Sequence, residues 1–213
     1  MKASIILPAY NEEKNIAQAI KSIKSAGDYE IIVVDDGSKD RTAEIARKHG
    51  VICLSLSKNM GKGYACSIGA KIASNENIVF IDSDNQLDAR EIPNFLKELK
   101  TNDMVVGKRT FAEIPVHRRL SNSFARSVIS AATGRKFSDA LCGFRAIKRA
   151  KFFSLQINKK RYEFESEMIV RATRNKLRIK EIPVRVVYGT GSSMSVIESA
   201  KVAMFILTQL FRR

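Results

Sequence analysis

The sequence predicts an α/β domain built on a doubly wound, mostly parallel sheet, and three observations carry that expectation. Over the first 107 residues, short apolar runs alternate with stretches of helical periodicity at the pitch of β-α units. Several of those runs end in acidic or glycine-containing loops, and such strand ends are where open α/β sheets take their ligands. The 213 residues, 45% of them hydrophobic, suffice for one domain with a sizeable core, or one domain with an appendage. No apolar run reaches the roughly 18 residues needed to cross a bilayer.

The elements follow in order. Ala3 to Leu7 is an apolar strand, too close to the first residue to be a signal peptide. Asn11 is placed to cap a helix with Glu12 and Glu13 in its first turn and the stripe Ile16, Ala19, Ile20, Ile23. Glu30 to Val34 is a second strand, Thr42 to His49 a short helix, and Val51 to Leu56 a third strand. Gly61 to Ser74 is a helix with a glycine-rich entry, and Ile78 to Ile81 the fourth strand. Arg90 to Leu99 is a helix with Pro93 in its first turn, and Met104 to Val106 the fifth strand. Beyond these, His117 to Thr133 and Glu163 to Asn175 are helical, while Leu141 to Ile147 and Ile179 to Val187 are extended. Residues 1–194 are expected to form one domain and 195–213 an amphipathic C-terminal helix. That last helix carries Ile197, Ala200, Met204, Leu207 and Phe211 on one stripe and ends in Arg212 and Arg213. Such a helix lies in a membrane interface, or docks on its own core or on a partner.

The net charge is +15, and from Lys108 to Lys151 eleven Lys and Arg face two acids. Phosphate or an anionic lipid surface suits that excess. Few aromatic residues accompany it and no nucleic-acid module is recognisable, so nucleic acid is not expected as a partner. Three scattered cysteines, none in a Cys-x-x-Cys pair, point away from thiolate metal binding and toward a reducing compartment.

Four loops on the expected ligand edge carry chemistry. Pro8-Ala9-Tyr10-Asn11-Glu12 sets an aromatic ring beside a carboxylate, suited to a nucleobase and a sugar hydroxyl or simply a turn. Asp35-Asp36-Gly37-Ser38 is a ribose- or base-recognition turn, or an ordinary Asp-Gly turn. Lys58 to Gly63 puts glycines and Lys62 at a helix N-terminus, where backbone amides favour phosphate. Asp82-Ser83-Asp84-Asn85-Gln86 ends a buried strand in two carboxylates, hard oxygen donors for Mg²⁺ or Mn²⁺.

Taken together, Ile-Leu-Pro-Ala-Tyr-Asn-Glu-Glu, Ile-Val-Val-Asp-Asp-Gly-Ser-Lys-Asp, Asn-Met-Gly-Lys-Gly and Asp-Ser-Asp resemble the GT-A glycosyltransferases of family 2. Val106 to Arg109, Asp139 to Arg145, Tyr162 to Glu167 and Glu181 to Val184 resemble the subgroup containing dolichol-phosphate mannose synthase and its glucosyl and bacterial relatives. The likeness runs to about Ser195 and implies a Rossmann-like central sheet with helices on both faces. It further implies that Pro8, Tyr10, Glu12, Val34 and Asp36 line a nucleotide pocket, with Lys62 and Ser83 also at the donor. Asp82, Asp84 and Gln86 would surround the metal and diphosphate, and Arg109 would meet a donor or acceptor phosphate. Arg118 or Arg119 with Ser123 would hold the acceptor phosphate, and Asp139, Glu165 and Glu167 would lie near the reaction centre.

The implied activity is inverting transfer of a hexose from GDP-mannose or UDP-glucose to dolichyl or polyprenyl phosphate, at the cytoplasmic face of a membrane. Membrane contact would be peripheral, through the tail, the basic face or a membrane partner subunit. A hydroxyl acceptor on a glycan, or a catalytically silent nucleotide-sugar binding subunit, are the alternatives. One departure stands out: Arg185 to Met194 lacks the lysine that dolichol-phosphate mannose synthases carry there, which counts against mannose in particular.

Overall fold

The computed structural model describes residues 1–110, 116–186, 204, 205, 207 and 208, with backbone alone for 116–122 and 124. Seven strands form one sheet: β1 (Ser4–Ala9), β2 (Glu30–Asp35), β3 (Ile52–Ser55), β4 (Asn77–Phe80), β5 (Met104–Arg109), β6 (Arg145–Lys148) and β7 (Ile179–Val184). Their order is β3-β2-β1-β4-β6-β5-β7. All neighbours pair in parallel except β6, which runs antiparallel to both β4 and β5. The sheet is therefore mixed and mostly parallel, as the sequence predicts.

Helices α1 (Ile16–Ala26), α2 (Thr42–Lys48), α3 (Lys62–Ile72), α4 (Ile92–Leu99), α5 (Val116–Thr133), α6 (Arg149–Ser154) and α7 (Phe164–Arg174) cover both faces. The alternation along β1 shows why two layers are needed. Ile6 packs into one core with α3, α5 and α7, while Ile5 and Leu7 pack into the other with α1 and α4. The expected stripe of α1, Ile16, Ala19, Ile20 and Ile23, is fully buried.

The reversed strand β6 shapes the site. Arg145 pairs with Phe80 and Val106 near the C-terminal ends of β4 and β5, so the segment 139–144 crosses those ends before β6 begins. Phe144 stacks on Phe95 of α4 with ring centroids 4.0 Å apart, which pins that crossing.

Several expectations need correction. Asn11 does not cap α1, which starts at Ile16 with no acid in its first turn. Asn11 instead takes a left-handed φ of 56° and its side chain accepts from Lys39 N–H. The backbone amides of Asn11, Glu12 and Glu13 donate to Ser38, Thr42 and Asp40, so the loop after β1 is zipped to the loop after β2. The expected strand Leu141 to Ile147 is only Arg145–Lys148, because the preceding residues form the crossing segment. Helix α6 is too short to announce itself by periodicity.

The domain boundary at 194 and most of the tail helix lie outside the described residues. Of the tail, Met204, Phe205, Leu207 and Thr208 are helical. Phe205, off the expected stripe, is the residue that enters the core, while Met204 and Leu207 remain exposed.

Candidate active site

A cavity of about 690 Å³ opens at the C-terminal ends of β1, β2 and β4. Pro8, Tyr10, Glu12, Asp36, Lys62, Asp82, Ser83 and Asp84 line it, so the structure gathers most of the expected donor residues in one place. These residues converge because consecutive parallel strands deliver their C-terminal loops to the same edge.

One wall is a turn organised by Asp36. Its carboxylate accepts from Met60 N–H at 2.7 Å and Gly61 N–H at 2.8 Å. Gly61 has φ +101°, and a Cβ there would sit 2.5 Å from the Lys160 carbonyl, so only glycine fits this bend. Burial pushes the Asp36 carboxyl up, against these hydrogen bonds and the charge of Arg161, which pull it down. Two amides of the glycine-rich loop, those of Met60 and Gly61, are thereby taken up by Asp36.

Lys62, in the first turn of α3, reaches across the floor. Its Nζ lies 2.6 Å from Asp82 Oδ1 and 2.6 Å from Glu165 Oε1. Burial alone would lower its pKa, but the two carboxylates outweigh burial and hold the ammonium well above its ordinary value. Asp82 is thus ion-paired. Asp84 accepts from Gln86 N–H at 3.0 Å, and burial, then the charge of Asp82, push its carboxyl up to about 6. Burial likewise raises Glu12, whose carboxylate accepts from Asn15. The loop is closed by Ser83, whose hydroxyl donates to the Pro8 carbonyl at 2.9 Å, and by Asn85, left-handed at φ 60° and bonded to the Asn15 carbonyl.

The crossing segment presses on this floor. A Cβ on Gly143 would collide with the Asp82 carboxylate. Arg145, wholly buried, fixes the segment by donating to the carbonyls of Ala140, Cys142 and Glu165. One guanidinium therefore ties the crossing segment to the start of α7, where Glu165 meets Lys62.

A second cluster stands at the end of β5. Arg109 donates Nε and Nη2 to the two oxygens of Asp139, at 2.6 and 3.0 Å. The amides of Ser138 and Asp139 in turn donate to Glu181 Oε1.

Some expected residues lie elsewhere. Val34 does not line the cavity: it is fully buried on β2, packed toward Gly69 of α3. Glu167 faces away, accepting from the amides of Asn158 and Lys159 and from Arg171. Gln86 contributes its backbone to Asp84 and is not on the cavity wall. Ser123 is half-buried on α5, and the side chains of Arg118 and Arg119 lie outside the described residues.

Arg161 and Asn15 line the cavity without having been expected, beside Asn59 and Tyr162, which the quoted motifs contain but to which the sequence assigns no role. Arg161 hides in the run Lys159-Lys160-Arg161, which reads as a solvated charge cluster; its nearness to the Tyr-Glu-Phe-Glu segment is the only signal.

A family model described as Glycosyl transferase family 2 matches residues 4–186. A dolichyl-phosphate beta-glucosyltransferase from Trichomonas vaginalis is 31% identical, over 96% of this chain and 71% of its own. A UDP-N-acetylglucosamine–dolichyl-phosphate N-acetylglucosaminyltransferase from Methanococcus voltae is 30% identical, over 86% of this chain and 85% of its own. Among solved structures, glucosyl-3-phosphoglycerate synthase from Mycobacterium tuberculosis, in complex with Mn²⁺, UDP and glucosyl-3-phosphoglycerate, superimposes with a TM-score of 0.77. It covers 99% of this chain and 78% of that one at 22% identity, and the likeness bears out the expected GT-A fold.

Proposed function

Because the chain belongs to glycosyl transferase family 2, we propose that it moves a hexose from a nucleotide diphosphate sugar to a polyprenyl phosphate. The observation that carries this reading is the cavity at the C-terminal sheet edge, which sets the Asp82-Ser83-Asp84 loop against Tyr10, Glu12 and Asp36. The lipid-phosphate acceptor is supported by the names of relatives that span most of this chain.

The donor set fits a divalent cation. Asp82 and Asp84 share one wall and offer oxygen only, and burial, then the charge of Asp82, push Asp84 up to about 6. Two carboxylates completed by substrate phosphates is a coordination that suits Mg²⁺ or Mn²⁺. Mg²⁺ or Mn²⁺ held there would neutralise charge developing on the nucleotide diphosphate.

The chain's own residues do the rest. Tyr10, exposed at the rim, offers a ring face to the base, and Asp36 and Glu12 offer acceptors to sugar hydroxyls. Arg109, aimed by Asp139, supplies positive charge to a phosphate at the neighbouring strand end. A phosphate acceptor is largely ionised at neutral pH, its second pKa being about 6, so it needs no general base. The side chains then have only to hold two anions in line against their repulsion. In-line attack gives inversion, from an α-linked donor to a β-linked product. Proton NMR of the product tests this, and an α-linkage would rule it out.

Among the described residues no helix is long and apolar enough to cross a membrane. Peripheral contact is supported by exposed Met204 and Leu207 beside buried Phe205. Replacing both with serine should weaken flotation with anionic liposomes while leaving the core intact, and unchanged flotation would remove the tail from the reading.

The deciding experiment is transfer from radiolabelled UDP-glucose, UDP-N-acetylglucosamine and GDP-mannose to polyprenyl phosphate, with Mg²⁺ or Mn²⁺. Label extracted into organic solvent from one donor, and absent with Asp84→Asn, supports the reading. Transfer only to a sugar hydroxyl would replace the acceptor class.

A further inference from the structure

The strongest cation within the candidate metal site is one the chain brings itself. Lys62 Nζ stands 2.6 Å from Asp82 Oδ1, and its other partner, Glu165, is buried and fixed through Arg145. The surrounding cations act on these carboxylates from further off or are held by other partners. Arg109 is bound in a fork by Asp139, Arg145 is spent on three carbonyls, and Arg161 stands at the Asp36 side of the cavity. The carboxylates of Glu12, Asp82 and Asp84 share this one cavity, and Glu165 approaches it through Lys62. Without an ammonium among them, their mutual repulsion rises, and a bound cation or protonation would relieve it.

We infer that Lys62 is a resident counter-ion that competes with the divalent cation for Asp82, so that metal binds well only together with a nucleoside diphosphate. A divalent ion approaching Asp82 meets a like charge already seated on one of the carboxylate oxygens, and the ammonium has to give up that contact. A diphosphate removes the conflict twice over. Its oxygens complete the ion's coordination, and they give the Lys62 ammonium, on its flexible four-carbon stem, another acceptor. Metal and nucleotide are then positively coupled through one side chain. The inference rests on the reading of Asp82 and Asp84 as a divalent-cation site.

The test is Mn²⁺ binding, followed by the electron paramagnetic resonance signal of free Mn²⁺, with and without saturating UDP or GDP. Wild-type protein should bind Mn²⁺ weakly alone and more tightly with nucleotide. Lys62→Met and Lys62→Gln, the latter keeping a hydrogen-bonding head, should each bind Mn²⁺ alone about tenfold more tightly, as loss of a neighbouring unit charge predicts. The gain on adding nucleotide should shrink correspondingly, and Lys62→Arg should behave like wild type. Circular dichroism confirms that each variant is folded. If nucleotide still recruits Mn²⁺ but neither neutral variant binds it more tightly alone, the counter-ion role is overturned and the metal site stands. If no form binds Mn²⁺ even with nucleotide, both are overturned.

Discussion

Asp139 grips Arg109 through both carboxylate oxygens, with Nε to Oδ2 at 2.6 Å and Nη2 to Oδ1 at 3.0 Å. The carboxylate is almost completely buried and the guanidinium largely so. The pair therefore aims a permanent positive charge at the end of β5, and aiming has a measurable cost when lost. Asp139→Ala removes the carboxylate fork that holds a largely buried guanidinium and should destabilise the fold by about 3 kcal/mol or more. Arg109→Lys keeps the charge but loses the fork. It should lower kcat at least tenfold with little change in urea-unfolding midpoint. Equal losses of stability and activity in both variants would reduce the pair to a structural bolt.

Gly143 gives a sharper steric prediction. A methyl group there would occupy space held by the Asp82 carboxylate. In Gly143→Ala either the crossing segment or Asp82 must move, at about 1–3 kcal/mol. Because Asp82 is the more exposed of the two, it should yield first. Activity should fall about a hundredfold, as a misplacement near 1 Å in a catalytic site does, while the melting temperature drops only a few degrees. Near-normal turnover would show that the Asp82 position is not critical.

The pH dependence follows from Asp84. Its carboxyl is pushed up to about 6 by burial and by Asp82, well above its ordinary value. It must be ionised to hold a cation, so kcat/KM should fall about tenfold per pH unit below about 6. The effect on folding has the opposite sense. A carboxyl whose folded pKa lies above its unfolded pKa stabilises the fold below the unfolded value, near 4. That contribution is lost as pH rises through about 6. Without metal, Asp84→Asn should therefore raise the melting temperature more at pH 8 than at pH 4.5. An equal change at both values would contradict this account.

Arg145 is the residue whose loss the fold should feel most. Replacing it with Leu leaves the carbonyls of Ala140, Cys142 and Glu165 without the donor that serves them, in a fully buried place. Each unsatisfied group costs about 1–3 kcal/mol. Arg145→Leu should lower stability by about 3 kcal/mol or more in urea titration, and a cost under about 1 kcal/mol would mean that the carbonyls find other donors.

The first half of the molecule was legible because its information is local. A run such as Ile78 to Ile81 names its strand, and the alternation names the parallel sheet that carries Asp82 and Asp84 to one edge with Pro8, Tyr10 and Asp36. What stayed hidden depends on partners distant in sequence. Lys62 reads from the sequence as a phosphate ligand, and nothing there shows that Glu165 and Asp82 also hold it. Val34 stands two residues before the pocket residue Asp36 and shares its side of the strand, yet it lies in the core against Gly69 of α3, and sequence spacing does not show that depth. Asn11 has the chemistry of a helix cap, but the same chemistry tolerates a left-handed turn and bonds to a neighbouring loop. No pattern in the sequence says that β6 runs backwards and thereby lays Gly143 on Asp82.

Arg161 tests whether the unexpected wall of the cavity belongs to the donor site. It lines the cavity with Tyr162, and its charge is felt by Asp36 across the opening. Its loop is not left to chance. Glu167 accepts from the amides of Asn158 and Lys159, and the Lys160 carbonyl accepts from Tyr64 N–H of α3. A cation on so well anchored a loop, facing carboxylates, is suited to a polyanionic ligand that carries hydroxyls for those carboxylates and phosphates for the guanidinium. Arg161→Ala should raise KM for the nucleotide sugar about ten- to a hundredfold, the worth of one hydrogen bond to a charged group. Loss of ground-state and transition-state binding together leaves kcat nearly unchanged. Glu167→Gln should give a smaller effect of the same kind, by loosening the loop rather than removing the charge. A fall in kcat with KM intact would move Arg161 from donor binding to the chemical step, and unchanged kinetics would remove it from the site.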